Sequence, residues 1–247
     1  MDGRELTFFH TNMVAMNFTF TDRETGTRWQ QETGEAFEGP LKGRRLEIYP
    51  FLITTWKEWR DRHPDSLGMV PVPGLEELYD QMWRTILARR PGRPGPPPDR
   101  TLRPEDPRLA AYEPVVGLEA GGARRAYALE VLAKERVVND RLGGEAVLVI
   151  FRPESDTVTA FSRQLDGRAL TFERRARSGD IVDVETGSRW NAYGECLEGK
   201  LRGSRLNAIV GVRQFWWSWA AFLKRRWAQA SGQAWGTATH KREPTKG

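Results

Sequence analysis

The sequence predicts a mainly β (α+β) protein made of two related antiparallel β lobes, each closed by a tryptophan-containing helix, with the first lobe incomplete. Three observations predict it. One stretch occurs twice: Asp22-Arg-Glu-Thr-Gly-Thr-Arg-Trp29 returns as Asp183-Val-Glu-Thr-Gly-Ser-Arg-Trp190. Short β-branched and aromatic runs separated by glycine turns recur along the chain, the signature of short antiparallel strands. The pair Trp56 and Trp59 returns as Trp216 and Trp219, on stretches with helical spacing.

The match around the repeated stretch is long. Asp2-Gly-Arg4 aligns with Asp166-Gly-Arg168, Gly34-Glu-Ala-Phe-Glu-Gly39 with Gly194-Glu-Cys-Leu-Glu-Gly199, and Leu41-Lys-Gly43 with Leu201-Arg-Gly203. A period of this length means whole domains and not the units of a solenoid. The copies are unequal, because the second carries residues 112–165 ahead of the shared block, whereas the first begins inside it. The expected division is a partial first copy over 1–70, a helix and linker over 71–108, a complete second copy over 109–232 and a disordered tail over 233–247.

Taken in order, Leu6–Phe9 and Asn17–Thr21 read as strands. Glu24-Thr-Gly26 is a turn that delivers Arg28 and Trp29 onto the next strand. Thr55-Trp-Lys-Glu58 has the form of a capping box and opens a helix that must stop before Pro64. Leu75–Leu87 has helical spacing without breakers, and Arg90–Pro98, rich in proline and glycine, reads as an exposed semi-rigid linker. Val115–Leu129 predicts two strands about Gly121-Gly122. Glu130–Val138 predicts one or two helical turns, Asn139-Asp140 a break, and Gly143-Gly144 a turn into the strand Ala146–Phe151. Val158–Phe161 is a further strand. Trp216, Trp219, Leu223 and Trp227 then form one helical stripe, with Lys224 and Arg225 off it. Docking of that stripe on the domain's own sheet is preferred to a membrane surface.

Composition narrows the function classes. No apolar run approaches the ~18 residues of a membrane-spanning helix, and residues 1–5 lack the form of a secretory signal. The single cysteine, Cys196, excludes an internal disulfide, and its repeat partner Ala36 predicts a small buried side chain. A net charge of +5 comes without any nucleic-acid recognition motif, so no nucleic-acid partner is expected. His10, Met13 and Met16 have soft-metal chemistry, but the second copy has no histidine or methionine there, so packing is the expected role and no metal or cofactor is expected. Ten tryptophans would suit recognition of carbohydrate or other apolar rings, yet most fall on repeated helix or turn positions, which favours the core. Glu24, Arg28 and Trp29, with Glu185, Arg189 and Trp190, are the candidate binding residues. A turn, an ion pair across the hairpin and a core tryptophan would explain them equally, and the structural role is preferred.

Val116-Gly-Leu-Glu-Ala-Gly-Gly122, Tyr127-Ala-Leu129, Val138-Asn-Asp140 with Gly143-Gly144, and the doubled Glu-Thr-Gly-x-Arg-Trp, Glu-Gly-x-Leu-x-Gly and Trp-x-x-Trp runs together resemble the bacterial domain-of-unknown-function 3179 family. The resemblance implies a Cys-Pro-Leu-Cys-Gly-Thr motif, sometimes with selenocysteine, and a His-Glu pair shortly before Val-Asn-Asp. Here Arg152 and Ser155 stand where the thiols would be, only Pro153 and Thr157 remain of that motif, and Glu135 and Arg136 replace the His-Glu pair. Neither arginine nor serine supplies the thiolate on which redox exchange or metal ligation depends. No histidine lies near Ser155 in sequence to activate it.

The expected function is therefore a non-catalytic binding or assembly module in which the dithiol has been lost. The alternative is a truncated thiol or selenol redox protein, or a metal-linked one, whose active motif lies upstream of Met1. A selenocysteine codon read as a stop would produce such a start. The resemblance implies a bacterial and exported protein. Self-association through a sheet edge left uncovered in the first copy is also expected.

Overall fold

In the computed structural model, which describes residues 3–14, 17–70, 72–87, 106–111 and 113–220, the chain is mainly β and its strand pairs are antiparallel. β1 (Phe8–Val14), β2 (Asn17–Asp22), β3 (Arg28–Gln30) and β4 (Ala36–Glu38) make one sheet in that order. A stretch without regular secondary structure over residues 46–55 leads to α1 (Trp56–Arg62), and α2 (Glu76–Leu87) follows. The linker stretch 88–105, the tail and helix positions from 221 onward, and Met16 lie outside the described residues.

Next come the hairpin β5 (Pro114–Ala120) and β6 (Ala123–Ala128), then α3 (Leu129–Glu135), then β7 (Val137–Leu142), β8 (Glu145–Arg152) and β9 (Thr157–Ser162). After the small hairpin β10 (Gln164–Leu165) and β11 (Arg168–Ala169), a second four-stranded sheet contains β12 (Phe172–Arg174), β13 (Ile181–Asp183), β14 (Arg189–Trp190) and β15 (Cys196–Glu198). β16 (Ala208–Ile209) then joins the edge of β9, and β17 (Gly211–Phe215) joins β5. Residues 216–220 are helical.

β8 is the centre of the molecule. Val147, Val149 and Phe151 face a core shared with β5, β6 and α3, whereas Leu148 and Ile150 face a second core built with Phe172, Ile181 and Trp190. A strand covered on both faces is apolar at successive positions, which is why Ala146–Phe151 does not alternate. Each buried leucine or isoleucine of this size contributes ~2 kcal/mol of transfer free energy.

The glycines of the two hairpins meet each other. Gly121 and Gly143 have φ of 53° and 58°, and a Cβ on Gly121 would lie 2.1 Å from the Gly143 carbonyl oxygen. The close approach of the two turns fixes how the β5–β6 hairpin sits on β7–β8.

Two local expectations are corrected. Asn139 and Asp140 do not break the chain but lie inside β7, paired with Leu148 and Val147. Their side chains explain the exception to strand propensity. Asn139 Nδ2 donates to Phe172 O at 2.6 Å and its Oδ1 accepts from Phe172 N at 2.8 Å, so one amide side chain continues the edge of β12. Asp140 accepts from Tyr127 Oη at 2.7 Å and from Arg125 Nη1 at 2.5 Å. The first strand also begins later than the sequence suggests, and His10 lies within β1 at a bulge, its ring edge-on to Phe18 at 4.9 Å.

The tryptophan helices behave differently. Trp216 and Trp219 are 1% and 8% exposed and pack with Val115 and Ala126. Trp56 is 51% exposed and α1 has no buried residue.

Candidate functional site

The six binding candidates occupy matching positions and make matching contacts. Trp29 Nε1 donates to Asp22 Oδ2 at 2.7 Å, and Trp190 Nε1 to Asp183 Oδ2 at 2.9 Å, all four residues being buried. Glu24 accepts from Thr7 N at 2.8 Å, and Glu185 from Thr171 N at 2.9 Å. Arg28 pairs with Glu38 at 2.6 Å, and Arg189 pairs with Glu198 through Nε at 3.1 Å. Each of these polar groups bonds within its own four-stranded unit. Asp22 illustrates the physical cost: burial opposes its charge, but the donations from Trp29 and Thr25 hold its carboxyl below the usual carboxylate value.

The residues of the motif loop, 152–157, are placed by the end of β8 and the start of β9. Ser155 and Thr157 are buried, and their hydroxyls lie 2.8 Å apart. Thr157 Oγ1 also donates to Thr54 Oγ1 at 2.8 Å, in the stretch leading to α1. Arg152 Nη1 lies 3.0 Å from Glu58 Oε1, and the hydroxyl of Tyr193 donates to the same carboxylate. Arg62 lies 3.6 Å above the Tyr193 ring and 3.5 Å from Glu195, which also holds Arg205 at 2.5 Å. Glu58 is thus drawn away from the reciprocal half of a capping box. Thr55 still accepts from Glu58 N at 3.3 Å, so the helix start survives with one capping bond.

A family model described as "Protein of unknown function (DUF3179)" matches residues 1–226. The chain belongs to the DUF3179 family. No curated protein and no solved structure matches it.

In this DUF3179 chain the motif loop divides two cavities. On one side, about 480 Å³ is bounded by Pro50–Ile53 and Trp59 from the first repeat and by Asp156, Val158–Phe161 and Tyr193 from the second. On the other, about 380 Å³ is bounded by Arg136, Arg152, Pro153, Glu154, Arg174 and Arg189. Burial, followed by the bond to Glu58, pushes the Tyr193 hydroxyl up to about 12, so it remains a proton donor across the neutral range. Glu195 is held below the ordinary glutamate value by Asn191 first, against burial, and then by Arg62 and Arg205. Among the described residues no group of three histidine, cysteine, aspartate or glutamate side chains is placed to hold a metal ion, and no helix is long and apolar enough to cross a membrane. The arrangement holds charge at partly buried positions. The sequence singled out Arg152, Pro153, Ser155 and Thr157 but not their partners Glu58, Arg62, Tyr193 and Glu195. The one available signal was that Glu58 and Tyr193 face Ser218 and Thr33 in the repeat, positions where the copies disagree.

Proposed function

We propose that this DUF3179 chain is a non-catalytic binding or assembly module made of two β units of common descent, residues 1–70 and 109–232, in which the loop that carries the family's sulfur chemistry has become a joint between them. The observation that carries the reading is the use of the loop's own atoms: Thr157 bonds Thr54 and Arg152 pairs with Glu58 in the first repeat, while Arg213 of the second holds Asp156 at 2.5 Å. Cys196 is the only cysteine and is buried, which leaves no dithiol in these residues. The candidate residues Glu24, Arg28, Trp29, Glu185, Arg189 and Trp190 support the hairpins in this reading.

The assembly half rests on β1. In the second repeat Asn139 occupies the outer side of β12, whereas among the described residues no strand pairs with the outer side of β1, and Phe8, Phe9 and Phe18 are each about 40% exposed. Light scattering over a concentration series tests it. Association that Phe9→Lys abolishes supports the reading, and a monomer at every concentration overturns the assembly half. For the joint, a double-mutant cycle of Glu58→Gln and Arg152→Met in urea should show ~1 kcal/mol of coupling. Strict additivity would remove it.

A second reading is favoured by one observation. Residues 46–55 belong to no strand, although their repeat counterparts form β16 and β17. A thiol or selenol redox or metal-linked protein with its motif encoded upstream would supply the partner strands. The upstream nucleotide sequence decides between the two: an in-frame Cys-Pro-Leu context supports this second reading, and unrelated sequence ends it.

A further inference from the structure

The cavity behind the motif loop is rich in arginine. Arg136, Arg152, Arg174 and Arg189 line about 380 Å³, together with the acidic residues Glu154 and Asp180. Two of the four are already neutralised by residues outside the lining, Arg152 by Glu58 and Arg189 by Glu198. Arg136 and Arg174 make no ion pair among the described residues. Arg136 Nη1 is moreover buried without any hydrogen-bond partner, an expensive state for a charged donor.

The backbone prepares both. Arg136 ends α3 with φ of 65°, a strained value for a residue with a Cβ, and its guanidinium lies 5.7 Å from the centre of the Phe151 ring. Arg174 lies across Gly179, whose φ of 76° favours glycine, with Arg174 Nη2 2.9 Å from where a Cβ would stand. A buried charged donor such as Arg136 Nη1 is ordinarily paired, and the planar fork of donors that it and the exposed Arg174 offer is matched by carboxylate or phosphate oxygens.

We propose that this cavity is a binding site for a small oxyanion, a carboxylate or phosphate group on a ligand of cavity size, with Arg136 and Arg174 as its direct partners. The site deepens the reading of the chain as a binding module by naming a ligand class. Its test is separate from the test of that reading, which is read by light scattering and the Glu58–Arg152 cycle.

The probes are inorganic phosphate and acetate, titrated into the full chain by calorimetry at ionic strength held constant with chloride. Saturable binding of at least one is expected, at one site per chain, and the stronger of the two identifies the anion class. Arg174→Met, on an exposed strand end, should weaken that binding at least tenfold, and Arg136→Met should do the same. Arg168→Met, on the separate β10–β11 hairpin, should leave it unchanged. Urea midpoints of all three variants check that they fold. No saturable binding of either anion overturns the proposal. So does binding that survives in Arg174→Met, or that Arg168→Met weakens equally, because each makes the effect one of general surface charge.

Discussion

Replacing Glu32 by glutamine tests how closely the first repeat is held against the second. The Glu32 side chain accepts from Gln30 Nε2 and lines a cavity of about 520 Å³ whose far wall includes Leu118, Val210, Val212 and Trp219. Burial pushes its carboxyl from 4.5 up to about 7, and the Gln30 donation opposes this only in part. The folded protein therefore binds this proton more tightly than the unfolded chain does. Stability from the group is fully present below the unfolded value, falls as pH rises, and is lost once the folded value is passed. At ~1.4 kcal/mol per pH unit the interval is ~3 kcal/mol, an upper figure for a group that water partly reaches. Glutamine keeps the shape and fixes the neutral form. Urea denaturation followed by tryptophan fluorescence should find Glu32→Gln equal to the parent near pH ~4 and more stable by ~2–3 kcal/mol near pH ~8.5. A difference that does not change with pH would refute the argument, because it would mean that the carboxylate stays in water and the cavity wall is not closed over it.

Three further outcomes follow from the packing. Gly121→Ala or Gly143→Ala should each cost ~3 kcal/mol or more through backbone overlap, whereas Gly122→Ala and Gly144→Ala, with nothing within 4 Å of the added Cβ, should cost only ~1 kcal/mol for their positive φ. Equal melting shifts for the inner and outer pairs would contradict the contact between the turns. Removing the acceptor of a buried indole, in Asp183→Ala or Asp22→Ala, should destabilise by ~2–3 kcal/mol in each repeat. A neutral Asp22→Ala would mean that the first sheet does not hold its tryptophan as described. Burial raises the Cys196 thiol above its ordinary value, against the contact with Glu198 O, so a thiol reagent should label native protein far more slowly than unfolded protein. Labelling at the same rate in both would show an accessible thiolate.

The mainly β class, the hairpins about Gly121-Gly122 and Gly143-Gly144, and the start of α1 at Thr55 were legible because each rests on a local rule, such as glycine at positive φ or an oxygen capping a helix. Asn139-Asp140 misled for the opposite reason. Their propensity is for turns, but Asn139 supplies an edge for β12 and Asp140 joins Tyr127 and Arg125, contacts that only the assembled sheets provide. Trp56 was also beyond a local rule. It shares a sequence position with Trp216, yet Trp216 stays buried because β5 and β6 lie beneath it, and no such hairpin underlies Trp56 among the described residues.

Agreement and disagreement between the repeats carry different information. The Glu, Gly, Arg and Trp shared by both copies close a hairpin, and the same bonds appear twice because the same local problem is solved twice. A residue needed for folding in each copy must recur, whereas a contact between copies has no reason to. Tyr193 stands where the first repeat has Thr33, and Glu58 where the second has Ser218; these two meet each other across the molecule, with Arg152 on the same carboxylate. Arg136, which lines the arginine-rich cavity, belongs to the stretch ahead of the shared block. Where one stretch of sequence occurs twice, the residues common to both occurrences therefore hold the scaffold, and those at which they differ are free to serve a contact made once.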